Sequence, residues 1–268
     1  MLVELIRKPT TMVHTAPELQ RCDVFGDLHG CYDEWTMLLE RLGYRLTAGG
    51  AYAHPAGRKI VLVGDLTDRG PKNVATLRLV MRTAAAGQLV SVRGNHDDKL
   101  QRALAGRRVQ IRSGLKDTLT ELEAASAEFR EAVATYLAQL PLQLLLDEER
   151  LLIVHAGIQK GLIGRTDDAA RAFCLFGETT GRLMTDGFYE RLDWTRNYDG
   201  DPFVVYGHDP KPAPYRNNRT IDIDTGCAFG NCLTALRYPE IELITQPARR
   251  VYSTAKPHLI REELRSDD

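Results

Sequence analysis

The sequence has 268 residues, 43% of them hydrophobic and 26% charged, with a formal net charge of −1. These values are ordinary for a globular chain of one large α/β domain or two small ones, and they exclude a global basic field that would attract nucleic acid. No apolar run approaches the roughly 18 residues that a membrane span needs, and residues 1–9 lack the apolar segment of a signal peptide, so we expect a cytoplasmic protein with no membrane contact.

Short, apolar and β-branched runs predict a series of strands. In chain order they span residues 22–25, 59–63, 89–92, 151–154, 203–206, 220–223, 233–237 and 241–245. Between the early strands, apolar residues at helical spacing predict helices over 32–42 and 73–86. Strand and helix alternate in the front half, and strands dominate the back half. This order favours an α/β fold of two packed mixed β-sheets flanked by helices.

Three further stretches have their own character. Residues 44–58 predict a hairpin or loop insertion, and residues 113–140 predict one or two amphipathic helices, which we interpret as a helical cap inserted into the domain. Residues 166–201 are polar and lack a clear period, and an irregular stretch of that length in a compact domain is usually functional or mobile. Because no repeat or linker divides the chain, we expect residues 1–268 to form a single domain.

The cysteines point away from disulfide and thiolate chemistry. Their number, 5, is odd, their spacing is irregular, and they form no Cys-x-x-Cys pair. A disulfide framework and a thiolate zinc site are therefore both disfavoured. We expect reduced thiols, mostly buried as small apolar side chains. They are Cys22, Cys31, Cys174, Cys227 and Cys232.

Five short blocks, each placed directly after a predicted strand, are the candidates for chemistry. A lone Gly-Asp pair or a lone histidine is usually a turn residue or a satisfied core group, but a run of such blocks at strand ends can converge on one point. Glycine allows the sharp turn by which each side chain leaves its strand. The blocks are Gly26-Asp27-Leu28-His29-Gly30, Gly64-Asp65-Leu66-Thr67-Asp68-Arg69-Gly70, Gly94-Asn95-His96-Asp97, His155-Ala156-Gly157 and Gly207-His208-Asp209.

The donor types in these blocks suit hard and borderline metal ions. Carboxylate, amide oxygen and neutral imidazole bind Mn²⁺, Fe²⁺ or Zn²⁺. Two such ions about 3.5–4 Å apart clamp the attacking and leaving oxygens of a phosphate and lower the pKa of a shared water. The blocks therefore predict a site for two divalent metal ions beside a phosphate. We interpret the histidines outside the blocks, His14, His54 and His258, as surface residues.

In combination and order, the blocks resemble those of the calcineurin-like metallophosphoesterases, in the phosphoprotein-phosphatase branch. From about residue 22 to 247 the chain is similar to the bacterial symmetrical bis(5′-nucleosyl)-tetraphosphatase group, some of whose members are described as protein phosphatases. It is also similar to the phosphatase domain of bacterial polynucleotide kinase–phosphatase. Besides the first two blocks with the residues that follow them, the stretches that carry this are Phe176-Gly177-Glu178-Thr179-Thr180-Gly181 and Ile223-Asp224-Thr225-Gly226-Cys227-Ala228-Phe229-Gly230.

The resemblance implies two divalent ions, with manganese preferred and iron or zinc as alternatives. Asp27 and His29 would hold the first ion, and Asp65 would bridge the two. The ligands of the second ion would be Asn95, His155 and His208.

The resemblance also implies the catalytic roles. His96 would protonate the leaving oxygen and would be oriented by Asp68, an arrangement that suits a general acid near pH 7. Arg69 would grip the phosphoryl oxygens, where a guanidinium can bind in a bidentate manner, and Asn95 and His96 would also face the substrate. Asp224 would support the site from behind the ligands or contact a metal-bound water.

One position departs from the pattern of these relatives. After His208 they usually carry Thr-Pro, whereas this chain has Asp209-Pro210. The extra carboxylate could orient His208 or weaken phosphate binding. We expect it to be harmless, because a ligand loop often points its next residue outward.

The substrate is expected to be a phosphorylated small molecule, and the resemblance favours symmetrical cleavage of a diadenosine tetraphosphate-like nucleotide. The alternatives are a protein phosphatase and a polynucleotide 2′,3′-end phosphatase or phosphodiesterase, with phosphoproteins or nucleic-acid 3′-ends as partners. No Gly-x-x-x-x-Gly-Lys-Ser/Thr loop is present, so a kinase domain is not expected. A catalytically silent nucleotide-binding or metal-sensing module would need a lost ligand, and none is missing.

Two features could bind a longer substrate. The first is a cluster of cations after the third block, which is equally explained as a solvated helix face. The second is the pair Trp194 and Tyr198, which could stack on a nucleobase, although core packing is at least as good an explanation for Trp194. The cations are Lys99, Arg102, Arg107, Arg108, Arg112 and Lys116.

Overall fold

The computed structural model of the protein describes residues 13–184 and 189–265. Its helices are α1 (Tyr32–Arg41), α2 (Asn73–Ala85), α3 (Asn95–Leu104), α4 (Leu115–Glu123), α5 (Ala127–Gln139) and α6 (Asp168–Phe176). Its first eight strands are β1 (Val13–Ala16), β2 (Cys22–Phe25), β3 (Arg45–Leu46), β4 (Tyr52–Ala53), β5 (Lys59–Leu62), β6 (Leu89–Ser91), β7 (Gln143–Leu146) and β8 (Leu151–Ile153). The later strands are β9 (Thr179–Leu183), β10 (Tyr189–Arg191), β11 (Phe203–Tyr206), β12 (Tyr215–Asn217), β13 (Thr220–Asp222), β14 (Cys232–Tyr238) and β15 (Glu242–Pro247).

Two mixed sheets form the centre of the fold. One sheet has the strand order β15-β14-β2-β5-β6, in which β2, β5 and β6 run parallel. The other has the order β1-β7-β8-β11-β13-β12, in which β8, β11 and β13 run parallel. Because a parallel strand sends its chain out at the carboxyl end of the sheet, each sheet brings three loops to one edge.

Side-chain alternation along the strands divides the core into layers. Val24 and Val61 are fully buried between the two sheets, whereas Phe25 and Leu62 are buried on the other face, under the helices. Trp35 of α1 packs in that helical layer. The fold class predicted from the sequence, two packed mixed sheets flanked by helices, is confirmed.

Several elements differ from the sequence-based expectation. Strands β1 and β7, which pair in parallel, were not predicted, and neither was helix α3, which begins at Asn95 within the third block. Residues 166–201 were expected to be irregular, which was wrong in part, because they contain α6 and the hairpin of β9 and β10. Helix α6 begins at a capping residue, Asp167, whose carboxylate accepts from the backbone N–H of Ala170 at 3.0 Å.

The stretch interpreted as a cap forms α4 and α5. Both helices pack on the helical side of the first sheet, where Leu115, Leu122, Val133 and Leu137 are buried. Their role as a cap over the site stays a prediction. Within the described ranges, none of the helices has the length and apolar character that crossing a lipid bilayer requires.

Candidate active site

The blocks converge because each follows one of six parallel strands. In the first sheet, β2 leads to Asp27 and His29, β5 to Asp65, and β6 to Asn95 and His96. In the second sheet, the loops after β8, β11 and β13 carry the remaining predicted residues. These are His155, His208 and Asp224.

Asp65 lies at the centre of the converging loops. Its Oδ2 is 3.6 Å from Nε2 of His29, and its Oδ1 is 3.4 Å from Nε2 of His155. Two groups of potential metal donors, each within 4.8 Å, have this carboxylate in common: one adds His29 and His96, the other His155 and His208. A carboxylate with one oxygen on each side can join two metal ions, so the geometry fits a dinuclear centre.

The imidazoles are oriented by backbone carbonyls. Nδ1 of His29 lies 2.8 Å from the carbonyl oxygen of Thr67, and Nδ1 of His155 lies 2.9 Å from that of Val63. Each Nδ1 therefore donates its proton to a carbonyl, which leaves the Nε2 lone pair for a metal ion. Nε2 of His155 is 3.0 Å from both Nδ1 of His208 and Oδ1 of Asn95. These three donors can face one ion together.

Asp27 is held against the loop that carries His208. Its Oδ2 is 3.9 Å from Nε2 of His29, and its Oδ1 accepts from the backbone N–H of His208 at 3.2 Å. A β-carbon at Gly207 would collide with this same oxygen, so only glycine lets the loop come this close.

The backbone of the site is strained. Left-handed φ angles occur at His29 (44°), Asp65 (49°), Asp68 (74°), Arg69 (70°) and His208 (78°). Such angles cost roughly 1–3 kcal/mol each for residues with a side chain, and they persist only where the surrounding fold enforces them. Their concentration here is typical of a functional site.

The electrostatics of the site favour a cationic ligand. Burial, together with the neighbouring Asp224 and Asp65, raises the pKa of Asp27 well above its ordinary value, and burial raises that of Asp65 to about 7. Burial beside Arg69 lowers the pKa of His29, so this imidazole is neutral. Carboxylates crowded away from water, together with neutral imidazoles, are a donor set that divalent cations stabilise.

His96 and Asp68 form the predicted pair. Nδ1 of His96 lies 2.5 Å from Oδ2 of Asp68, and Asp68 Oδ1 accepts from the hydroxyl of Thr118 at 2.6 Å. Nζ of Lys99 is 3.6 Å from Asp68 Oδ2. The ring of His96 is thereby fixed with Nε2 towards the centre, 4.0 Å from Asp65 Oδ2. The guanidinium of Arg69 reaches the centre as well and contacts His29 Nε2.

Asp224 lies close to Asp27 and, besides burial, helps to raise the pKa of that carboxyl group. Its Oδ1 accepts from the backbone N–H of Gly226 at 3.0 Å, and burial raises its pKa to about 7. Its own backbone N–H donates to Oδ1 of Asp222 at 2.9 Å.

Sequence reasoning gave Asp97 no role, although it lies within the third block. Its buried carboxylate accepts three backbone N–H groups, from Gly94 at 2.8 Å, Asp65 at 2.9 Å and Leu66 at 3.1 Å. It therefore joins the turn after β5 to the start of α3. Its position two residues after Asn95, at the start of a helix, was the available signal.

Asp209, which was expected to point outward, is paired with two cations. It forms ion pairs with Lys211 and, at 3.6 Å, with Arg191 on β10. Arg191 also donates to the carbonyl oxygen of His208 at 3.4 Å. The extra carboxylate is thus matched by two cations at the rim of the site.

Of the features suggested for a longer substrate, only Lys99 reaches the centre. The other cations of that cluster are exposed on α3, on the segment after it and on α4. Trp194 and Tyr198 are buried in a core cluster on the outer face of the second sheet, and the indole of Trp194 donates to the carbonyl oxygen of Ala156 at 3.1 Å. Core packing therefore explains both aromatic residues.

Two clefts open on either side of His208 and Asp209, and they differ in charge. The first, of ≈ 320 Å³, is called the basic cleft here, because three cations (Arg69, Arg191, Lys256) face two carboxylates (Asp117, Asp209). The second, of ≈ 330 Å³, is called the acidic cleft, because two cations (Arg191, Lys211) face four carboxylates (Glu178, Asp193, Asp209, Asp222).

Hydrolases that use two divalent ions on a phosphate group are built on this plan. The chain belongs to the calcineurin-like phosphoesterase family, whose model matches residues 21–244. It is therefore a hydrolase, and membership implies divalent metal ions. This confirms the family and the enzyme class expected from the sequence.

The chain is similar to several named proteins and solved structures. It is 45% identical over 232 residues to the "Bis(5'-nucleosyl)-tetraphosphatase PrpE [asymmetrical]" of Halalkalibacterium halodurans, covering 85% of this chain and 94% of that protein. The protein of the same name from Bacillus subtilis is 42% identical over 238 residues, covering 87% and 97%. A crystal structure provisionally named a diadenosine tetraphosphatase superimposes with a TM-score of 0.65 at 24% identity, covering 88% and 97%, and supports the fold.

Proposed function

We propose that the protein hydrolyses dinucleoside polyphosphates by an asymmetrical cut, giving a nucleoside triphosphate and a nucleoside monophosphate from diadenosine tetraphosphate. The observation that carries the proposal is the carboxylate of Asp65 shared by two donor groups, with two clefts of unlike charge beside it. The names of the similar proteins support the substrate class. They carry the word asymmetrical, whereas the sequence resemblance implied symmetrical cleavage, and we adopt the asymmetrical cut.

The charges of the clefts support a cut that divides the substrate into a long triphosphate arm and a short monophosphate arm. A triphosphate arm needs cations, and the basic cleft supplies Arg69, Arg191 and Lys256. The acidic cleft has four carboxylates against two cations and would repel a long polyphosphate, but it can hold an uncharged nucleoside. A substrate laid across His208 would therefore be cut near the nucleoside that occupies the acidic cleft.

The chain's own groups have the following proposed roles. Asp27, His29, Asp65, Asn95, His155 and His208 hold the metal ions, with Asp224 behind them. Two divalent cations, of which manganese suits this mixed donor set, would supply positive charge at the reacting phosphate and a water of lowered pKa.

Arg69 binds the phosphoryl oxygens and holds the reacting phosphate against the centre. Burial lowers the pKa of His96 in the free protein, and the negative charge of a bound phosphate would raise it again. His96 then delivers a proton from Nε2 to the leaving oxygen, while Asp68 accepts its Nδ1–H and fixes the ring. Asn95, beside His155, also faces the substrate.

Product analysis tests the proposal. Diadenosine tetraphosphate incubated with the protein and Mn²⁺ should give equal amounts of ATP and AMP, and strong chelator should abolish turnover. In ¹⁸O-water, the label should appear in only one of the two products, because the attack occurs at one phosphorus atom. ADP as the sole product would restore the symmetrical cut, and full activity in chelator would contradict the two-metal mechanism.

The same assay separates the alternatives. Release of inorganic phosphate from a phosphopeptide or from a 3′-phosphorylated oligonucleotide, at a rate above that of the dinucleotide, would favour a protein or nucleic-acid-end phosphatase. The preference for manganese and the cytoplasmic location stay predictions. They are tested by activity across a metal panel and by cell fractionation.

A further inference from the structure

The acidic cleft contains a carboxylate oxygen that has no partner. Asp222, the last residue of β13, is 1% exposed and lies on the wall of this cleft. Its Oδ1 accepts from the backbone N–H of Asp224 at 2.9 Å, whereas its Oδ2 is buried without a hydrogen bond. A buried acceptor without a donor is unfavourable, so a ligand that supplies an N–H here would recover that loss.

The same cleft presents exposed aromatic surface. Phe176 is 49% exposed and Tyr215 is 37% exposed, and both line the cleft. The ring of Phe176 lies 6.5 Å from that of His208, so a group stacked on it would be next to the metal centre. Aromatic faces of this kind stack on nucleobases of any sequence.

We propose that the acidic cleft is the binding site for the 6-aminopurine base of the nucleotide arm, with Asp222 Oδ2 accepting from the exocyclic amino group and Phe176 stacking on the ring. The proposal rests on the proposed function and specifies which base this cleft recognises. The 6-amino group of adenine is a donor that needs one free acceptor, and Oδ2 supplies it. A free acceptor therefore favours adenine over a purine with a carbonyl oxygen at position 6.

The rim of the cleft connects the base to the phosphate. Lys211 and Arg191 both line the cleft, and both are paired with Asp209. Their positions beside His208 place them where the first phosphate of a nucleotide would lie when its base occupies the cleft. Asp209 therefore acts as a positioning residue that holds the two cations at the junction between base and metal centre.

The test compares two nucleotides that differ in one group. AMP and purine riboside 5′-monophosphate, which lacks the 6-amino group, are measured as competitive inhibitors of p-nitrophenyl phosphate hydrolysis by the holoenzyme with Mn²⁺. The wild-type protein should bind AMP roughly tenfold more tightly, the value of one buried hydrogen bond. The ratio of the two inhibition constants cancels any general change at the metal centre.

Asp222→Asn should bring this ratio close to one, because its amide oxygen is needed by the Asp224 N–H and its amino group then faces the base. Asp193→Asn is the matched control, because both oxygens of this carboxylate of the same cleft already have partners. Its Oδ2 accepts from Arg196 at 3.0 Å and Tyr215 at 3.1 Å, and its Oδ1 accepts from the hydroxyl of Thr195. It should keep the wild-type ratio. Phe176→Leu, at a half-exposed position, should weaken both nucleotides alike.

The outcomes separate this inference from the proposed function. Equal binding of the two nucleotides by the wild-type protein, or an unchanged ratio in Asp222→Asn, overturns the base site even if diadenosine tetraphosphate is cut into ATP and AMP. Discrimination that is lost only in Asp222→Asn supports the base site, even if the dinucleotide proves to be cut symmetrically.

Discussion

At the residue scale, the carboxylate of Asp97 holds the turn that presents Asp65. It binds the backbone N–H groups of Asp65, Leu66 and Gly94, which belong to two different loops. None of these bonds involves a side chain of the metal centre. The position of the shared carboxylate thus depends on a residue that touches neither metal nor substrate.

Asp97→Asn should therefore damage both stability and catalysis. The amide offers one acceptor oxygen in place of two and turns its N–H₂ towards backbone donors, which costs about 1–3 kcal/mol of unfolding free energy. A shifted Asp65 should lower kcat roughly tenfold or more, as small displacements of catalytic groups do. Thermal denaturation and steady-state kinetics on a saturating substrate measure the two effects.

Asp98→Asn provides the comparison on the same helical turn. Asp98 pairs with Arg171 and, at 3.7 Å, with Arg93, and it does not bind the Asp65 loop. This variant should lose some stability while keeping kcat within about twofold, in line with breaking an ion pair remote from the chemistry. Wild-type kcat in Asp97→Asn would show that the turn is held by other contacts.

At the scale of elements, helix α4 takes part in the site through one side chain. Thr118 donates to Asp68 at 2.6 Å and is fully buried, although it lies 50 residues away in the sequence. The hydroxyl lowers the pKa of Asp68, which burial otherwise raises. The helix interpreted as a cap is thus linked to the residue that orients His96.

Thr118→Val keeps the shape of the side chain and removes this hydrogen bond. The pKa of Asp68 should rise further, so the acidic limb of the kcat–pH profile should move to higher pH. At the pH optimum, kcat should fall about five- to tenfold with little change in KM, because the substrate does not touch Thr118. Thr120→Val, at an exposed position of the same helix, should leave the profile in place. Identical kcat–pH profiles in the wild-type protein and both variants would show that helix α4 does not influence catalysis.

How far the sequence could predict these elements depends on the distance between interacting residues. The strand over 22–25 and the loop to His29 were predictable, because strand, glycine and ligand are neighbours in the chain. Strand β1 was missed, because four residues gain their strand character only by pairing with β7, about 130 residues later. The bond from Thr118 to Asp68 was out of reach for the same reason.

The same limit applies to the candidate site, where contacts between residues distant in the sequence could not be predicted. The predicted ligand blocks are brought together because each block carries both its own turn and its own ligand. The two cations that pair with Asp209 were not predicted, because Arg191 lies on a hairpin in the stretch expected to be irregular. The free oxygen of Asp222 is visible only once its neighbour Asp224 is seen to use the other oxygen.

At the scale of the whole molecule, burial of the carboxylates at the candidate metal centre lowers the stability of the metal-free fold. Burial raises the pKa of Asp65, of Asp97 and of Asp224 to about 7 each. Without metal ions the folded chain therefore binds more protons than the unfolded chain at these groups, and the free energy of unfolding falls as the pH rises through this range. The buried histidines His29, His96, His155 and His208 have lowered pKa values and act in the opposite direction, but only below about pH 6.5.

We expect the net pH dependence of stability to be measurable above about pH 6.5. In chelator, the melting temperature should decline between about pH 6.5 and 8, where the carboxylates lose their last protons and the histidines no longer change. Mn²⁺ should offset the decline, since an ion that binds only the folded state stabilises it and compensates the crowded negative charge.

Asp65→Asn separates stability from function. The neutral amide can still accept from the backbone N–H of His96, as the carboxylate does at 2.9 Å, but it removes the charge that burial penalises. In chelator at pH 8 this variant should melt about 2–4 °C above the wild-type protein, while its hydrolytic activity with Mn²⁺ falls at least about a hundredfold. Asp201→Asn, an exposed carboxylate, should change neither quantity. If this variant melts below the wild-type protein under these conditions, the shared carboxylate stabilises the metal-free fold. The stabilisation by metal ions would then have a cause other than relief of charge repulsion.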